Sequence, residues 1–212
     1  MAAYLTDKCA EIRKWLAIGS EVYPDPVVVG WIRMAEEYLS TMLRVKHMLQ
    51  IDTSTLVEDR VPLPRDWLEI RLVRLLPSGG ICRYQTPDAF FNPEFPNPPE
   101  SPFLGQEKRY TILGNYLIVG EVTPNPGLQV ELTYYQSIPP LTDDNDNWAN
   151  CLHPTIYTLK ILHVASLYAH DDDRSAVWDQ EVTRMMEAMN TRHKVDMASG
   201  SVLVPVRRKS FG

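Results

Sequence analysis

At 212 residues the chain fits one domain, or one body with a smaller layer inserted into it. A hydrophobic share of 44% is too high for a disordered chain, and a net charge of -6 argues against a protein that grips nucleic acid through its phosphates. Cys9, Cys82 and Cys151 form no short-spaced pair, so neither a zinc knuckle nor a disulfide framework is supported, and a reduced, intracellular setting is the easier reading. The opening Met1-Ala2-Ala3-Tyr4 does not read as a signal peptide, and no apolar run approaches the roughly 20 residues of a membrane span, so a soluble product without membrane contact is expected.

Leu5, Cys9, Ile12 and Leu16 fall on one helical face, which Gly19-Ser20 ends. Tyr23-Pro24-Asp25-Pro26 resets the chain, with Asp25 as a cap and Pro26 as the first helical residue. Ile32, Ala35, Leu39, Met42 and Leu43 then continue a helical stripe to about Leu49. Gly30 costs that helix about 1 kcal/mol of propensity, which close packing against another helix would explain. Stripes of this kind are core.

From residue 50 the helical period disappears and proline and glycine become frequent. Ile51 to Val57 reads as a strand with a Ser/Thr-rich exposed side, and Pro64-Arg65-Asp66-Trp67-Leu68 as a single helical turn. Ile70, Leu72 and Leu76 share one side of the next strand, and Pro77-Ser78-Gly79-Gly80 turns it toward Ile81 to Tyr84. Thr86-Pro87-Asp88 starts a short helix carrying Phe90 and Phe91, and a proline-rich loop follows from Asn92 to Pro102. Tyr110 to Leu113 and Tyr116 to Val119 form a hairpin around Gly114-Asn115. After Pro124-Asn125-Pro126-Gly127, alternation of Leu128, Val130, Leu132 and Tyr134 with polar neighbours gives a half-buried strand that Pro139-Pro140 stops.

Beyond that point Ile156, Leu159, Leu162, Val164, Ala165 and Leu167 make a helix apolar over much of its circumference, which places it centrally. Asp171-Asp172-Asp173 caps the next helix, whose inner stripe is Trp178, Val182, Met185, Met186 and Met189 and which Asn190 to His193 closes. The fold class that results is α+β: roughly a four-helix body with an inserted antiparallel β layer and an extended C-terminal arm. Residues 1–49 supply the first helix pair, 50–140 the β domain, 141–197 the second helix pair and 198–212 the arm. In that arm Ser199-Gly200-Ser201 is flexible, Val202-Leu203-Val204-Pro205-Val206 is apolar and extended, and Arg207-Arg208-Lys209 is basic. Residues alone divide it evenly between a free or folded-back terminus and a strand that pairs with another protein.

The run Tyr134-Tyr135-Gln136-Ser137-Ile138-Pro139-Pro140-Leu141-Thr142-Asp143, then Asn147-Trp148, His153-Pro154 and a helix rich in Leu and Ala, resembles the head-to-tail adaptor proteins of tailed bacteriophages. These are ring-forming connectors below the portal, related to the tail tubular A proteins of short-tailed phages. Leu63-Pro64-Arg65-Asp66-Trp67-Leu68-Glu69 is similar to the family's Leu-Pro-x-Asp-Phe-Leu-Glu segment, and His170-Asp171-Asp172-Asp173-Arg174 to its turn between the last two helices. The resemblance covers most of residues 1–197 and rests on packing and turn motifs. It implies a structural virion protein at the head-tail junction, assembled in the host bacterial cytoplasm. By the same resemblance the copies form a ring, a dodecamer by analogy, between the portal protein and an upper tail (nozzle or tail-tube) protein. DNA would then pass through an acidic lumen without specific binding. It also turns the arm toward the portal, with Val202, Leu203, Val204 and Val206 as strand contacts and Arg207, Arg208 and Lys209 pairing with acids there. The loop with Asn92, Pro93, Phe95, Pro98 and Phe103 would face the tail.

Chemical motifs give no competing site. His170 to Asp173 are consecutive turn residues that helix capping explains, and Asp143-Asp144-Asn145-Asp146-Asn147 lacks the glycine and terminal glutamate of a calcium loop. No nucleophile elbow, P-loop, dinucleotide fingerprint or His-Glu-x-x-His motif occurs, so no catalytic, cofactor or metal residues and no enzymatic activity are expected. Two rivals without motif support are a tail-borne cell-wall hydrolase, which needs two facing carboxylates, and a soluble module with a small-ligand pocket.

Overall fold

The computed structural model describes residues 3–17, 19, 21–77, 80–92, 108–120, 127–170 and 172–198. Among these the chain is mixed α/β, with six helices and one seven-stranded sheet, and it divides into two compact units, Met1–Lys46 with Ile138–Gly212, and His47–Ser137.

In the first unit, α1 (Tyr4–Leu16) buries Cys9 and Ile12 and also Lys8, and ends at Ala17 in the left-handed conformation. Helix α2 (Asp25–Met42) starts one residue earlier than expected: Pro24 is the cap and Asp25 already helical, its carboxylate accepting from Arg13 Nη2 at 2.6 Å. It ends at Met42, short of the expected Leu49. The Arg44 guanidinium folds back onto the carbonyls of Ser40, Thr41 and Leu43, satisfying the helix end, while its backbone N–H is taken by Asn190 Oδ1 at 2.8 Å. Gly30 also departs from expectation: a Cβ there would meet nothing within 4 Å, so among the described residues no helix packs closely on it.

Helix α4 (Trp148–Leu152) leads into α5 (Pro154–Tyr168), whose Ile156, Tyr157, Ile161, Leu162 and Ala165 are buried. Helix α6 (Asp172–Ala198) buries Val182 and Met186 and half-buries Trp178, Met185 and Met189. It does not close at Asn190 to His193, because the same face continues through buried His193 and the helix runs on to Ala198.

The second unit holds β1 (Leu49–Thr55), β2 (Arg60–Pro62), β3 (Trp67–Leu76), β4 (Gly80–Tyr84), α3 (Pro87–Phe91), β5 (Lys108–Leu113), β6 (Tyr116–Val119) and β7 (Gln129–Gln136). Their order is β1-β7-β3-β4-β5-β6-β2. The two edge strands, β1 and β2, are consecutive in sequence and joined only by the turn at Glu58-Asp59, so the sheet must curl until its ends approach. It closes around Val61, Val73, Leu75, Leu117, Val130, Leu132 and Tyr134. The layer is not wholly antiparallel as expected: β4 and β5 run parallel, since the long connection between them lets β5 re-enter in the same direction. Nor do Ile70, Leu72 and Leu76 share the core side. Register shifts in β3, the second between Ile70 and Leu72, change which alternate residues point inward, and Val73 and Leu75 take the core positions. Pro64 to Leu68 is a turn running into β3, not a helical turn. Gly114 (φ 60) supplies the left-handed residue of the β5–β6 hairpin.

Candidate functional site

The chemistry of the first unit gathers at Glu36. It sits on the buried side of α2, 4% exposed, one turn after Ile32 and one before Leu39. Its Oε1 accepts from the Tyr157 hydroxyl (2.7 Å), the Leu141 N–H (2.8 Å) and Asn147 Nδ2 (2.9 Å). Its Oε2 accepts from Arg33 Nη1 (2.8 Å), and Arg33 Nη2 also reaches the Leu141 carbonyl (2.7 Å). Burial, followed by the neighbouring Glu36 carboxylate, pushes the Tyr157 hydroxyl well above the ordinary tyrosine range, so it stays a donor. Four residues further along α2, Ser40 Oγ accepts from the Ile138 N–H at 2.9 Å. Asn147 Oδ1 caps α4 through the Asn150 N–H (2.8 Å), and Asp143 Oδ1 takes the Thr6 N–H in the first turn of α1 (2.8 Å).

The Ile-Pro-Pro-Leu-Thr-Asp segment is thus laced by its own backbone to α2, and through Asp143 to α1. Within the second unit, Asp66 holds the other recognisable segment to the end of β7. Its carboxylate accepts from Gln136 Nε2 (2.6 Å) and more weakly from the Tyr134 hydroxyl (3.4 Å), and its carbonyl from the Ser137 N–H (2.8 Å). Sequence reading missed Glu36. The signal for it was present: an acid inside an apolar helical face requires partners.

Two further buried charges serve packing. The Lys8 ammonium lies 2.7 Å from Glu11 Oε2 and 3.2 Å from Thr158 Oγ1. Lys160, 3% exposed, places its Nζ 3.3 Å from the Tyr38 ring centre, 2.9 Å from His163 Nδ1 and 4.0 Å from Asp179. Burial lowers the pKa of both Lys160 and His163, opposed in each case by Asp179; the Lys160 charge lowers His163 further. His163 Nδ1, also 3.3 Å from Asp179, can serve one neighbour at a time. The neutral ring that burial favours accepts from Lys160.

The cysteine thiols do not read as nucleophiles. Burial raises the pKa of Cys9 and pushes Cys82 up to about 11, while Cys151 is exposed on α4. Among the described residues no group of three His, Cys, Asp or Glu could hold a metal ion; His170 and Asp173 are exposed, and Asp171 lies outside those residues.

Of the expected contact residues, Asn92 lines an open, shallow concavity with Pro87, Asp88, Phe91 and Leu113, where Phe91 and Leu113 expose more than half of their surface. Pro93, Phe95, Pro98, Phe103 and the arm residues Val202 to Lys209 lie outside the described residues.

The described residues thus show a polar seam that fixes packing and an apolar shelf open to solvent. The SU10 adaptor protein family model matches residues 5–208, almost the whole chain, and the chain belongs to that family of phage head-to-tail adaptors. Its role is that of a phage structural adaptor, which is not an enzyme family. No curated protein matches the chain.

Proposed function

We infer that copies of this chain form a ring, dodecameric by analogy, between the portal protein and an upper tail protein, and line the channel through which DNA leaves the head. The observation that carries this reading is the reach of the family match, which runs through Val202 to Arg208 and so takes in the arm as well as the folded body. The arm docks on the portal: Val202, Leu203, Val204 and Val206 pair as a strand, and Arg207, Arg208 and Lys209 meet acids on that partner. Three of the 21 basic residues sit in this short tract, so the remaining surface is more acidic than the net charge of -6 conveys. An acidic lumen repels the DNA backbone and lets it slide. The loop from Asn92 through Pro93, Phe95, Pro98 and Phe103 faces the tail, and Asn92, at its start, lines the concavity where Phe91 and Leu113 are exposed. Assembly takes place in the cytoplasm of the host bacterium. Electron microscopy of portal rings incubated with the protein tests this. An added layer with the portal's symmetry is the expected result, and unmodified portal rings contradict it.

A further inference from the structure

Strand β1 has one open side. β7 pairs along its whole length without a register shift, and beyond the Val57↔Arg60 bridge no described residue pairs with its other side. Two sets of hydrogen bonds fix which residues look outward. Leu56 donates to Leu128 on the β7 side, whereas Val57 exchanges both bonds with Arg60 on the opposite side. Bonding direction alternates along an antiparallel strand. Gln50, Asp52 and Ser54 therefore bond toward β7, and Ile51, Thr53 and Thr55 turn their N–H and C=O groups away from it. The β1–β2 ladder stops after the bridge because its next pair would set Thr55 against Pro62, which has no N–H. Ile51 is 68% exposed, and Thr53 and Thr55 are exposed as well. No proline, lysine or bulge blunts this edge.

The edge is poorly suited to its own copy. Two β1 strands paired antiparallel about their centre set Asp52 directly against Asp52, a destabilising like-charge pair. The C-terminal tract is better matched. In an extended Val202-Leu203-Val204-Pro205-Val206, residues 202, 204 and 206 bond to one side, and Pro205 faces the other, where its missing N–H costs nothing.

We propose that the outward edge of β1 receives the tract 202–206 of a second copy, running antiparallel, with Val206 opposite Ile51, Val204 opposite Thr53 and Val202 opposite Thr55. This rests on the reading of residues 198–212 as an interaction arm, and gives that arm a second acceptor, used between copies when no portal is present. Three outward residues meet three inward-bonding valines, and each of these three facing side-chain pairs is β-branched on both strands. Arg207 falls diagonally across from Asp52, whose carboxylate accepts from the Ser54 hydroxyl (3.1 Å), so the basic end complements the acid that opposes self-pairing. Pro205, outward on the added strand, stops further strand addition. A contact between the arm of one copy and the sheet of the next is heterologous and therefore suits a ring.

Amide hydrogen exchange on the full chain and on a chain ending at Ala198 tests the pairing. In the concentrated full-length protein the Ile51, Thr53 and Thr55 amides should exchange at least about tenfold more slowly than in the truncated one. The difference should fade on dilution. A synthetic peptide of residues 199–212 should restore slow exchange in the truncated chain, and Val204→Pro, which removes an N–H from the pairing side of the tract, should behave like the truncation. Equal exchange in full-length and truncated chains at every concentration overturns the proposal. So does slow exchange that survives dilution, which would place the tract on its own chain. Portal binding is read separately in a pull-down with portal rings, so failure of either reading leaves the other standing.

Discussion

Replacing Glu36 with alanine leaves the Leu141 N–H, Asn147 Nδ2, the Tyr157 hydroxyl and Arg33 Nη1 without their acceptor. Breaking a buried, multiply bonded charge costs about 3–5 kcal/mol, so urea unfolding of Glu36→Ala should show a loss of that order. Tyr157→Phe removes one donor from the set and should cost about 1–2 kcal/mol. A Glu36→Ala protein as stable as the parent would mean that the seam is held by apolar packing alone. His163 offers a pH test with a definite sign. Its folded-state pKa lies below the ordinary 6.5, chiefly through burial and then through the Lys160 charge, with Asp179 opposing. The unfolded chain therefore binds the proton that the folded chain refuses, and stability falls as pH drops below about 6.5. His163→Gln should unfold with a shallower dependence on pH below that point, read from chemical denaturation at a series of pH values. A slope unchanged from the parent would remove His163 as its source.

At the scale of elements, α2 carries the clearest test. Gly30 lies mid-helix with no neighbour near an added Cβ, so Gly30→Ala should stabilise the isolated chain by about 0.5–1 kcal/mol, seen as a rise in Tm. A loss of stability would show that the helix is more crowded there than its surroundings indicate. On α6, Met186→Ala should cost about 2–5 kcal/mol, whereas Val177→Ala, at an exposed position, should stay within about 0.5 kcal/mol. Element types were legible where periodicity was strong: the stripe of Trp178, Val182, Met186 and Met189 announced α6, and the alternation from Leu128 to Tyr134 announced β7. Ends and facings were less legible, because distant residues decide them. Asn190 and the Arg44 side chain stop α2, and the register shifts in β3 exchange Ile70 parity for Val73 and Leu75. The parallel β4–β5 pair depends on the path of a long connection that no local pattern encodes.

For the whole molecule, several of the residues that carried the family resemblance, Leu141, Asn147 and Gln136 among them, turn out to hold Glu36 and Asp66. Motifs of this sort specify packing, which is why they disclosed the family and the order of elements yet left Glu36, the acceptor at their centre, unseen. The most direct measurement for the adaptor account is the mass of portal rings mixed with the protein, by native mass spectrometry, for the full-length chain and for a chain ending at Ala198. The account predicts that the full-length chain adds to the portal in one fixed multiple and that the truncated chain does not. Portal rings whose mass stays unchanged in the presence of the full-length protein would contradict it.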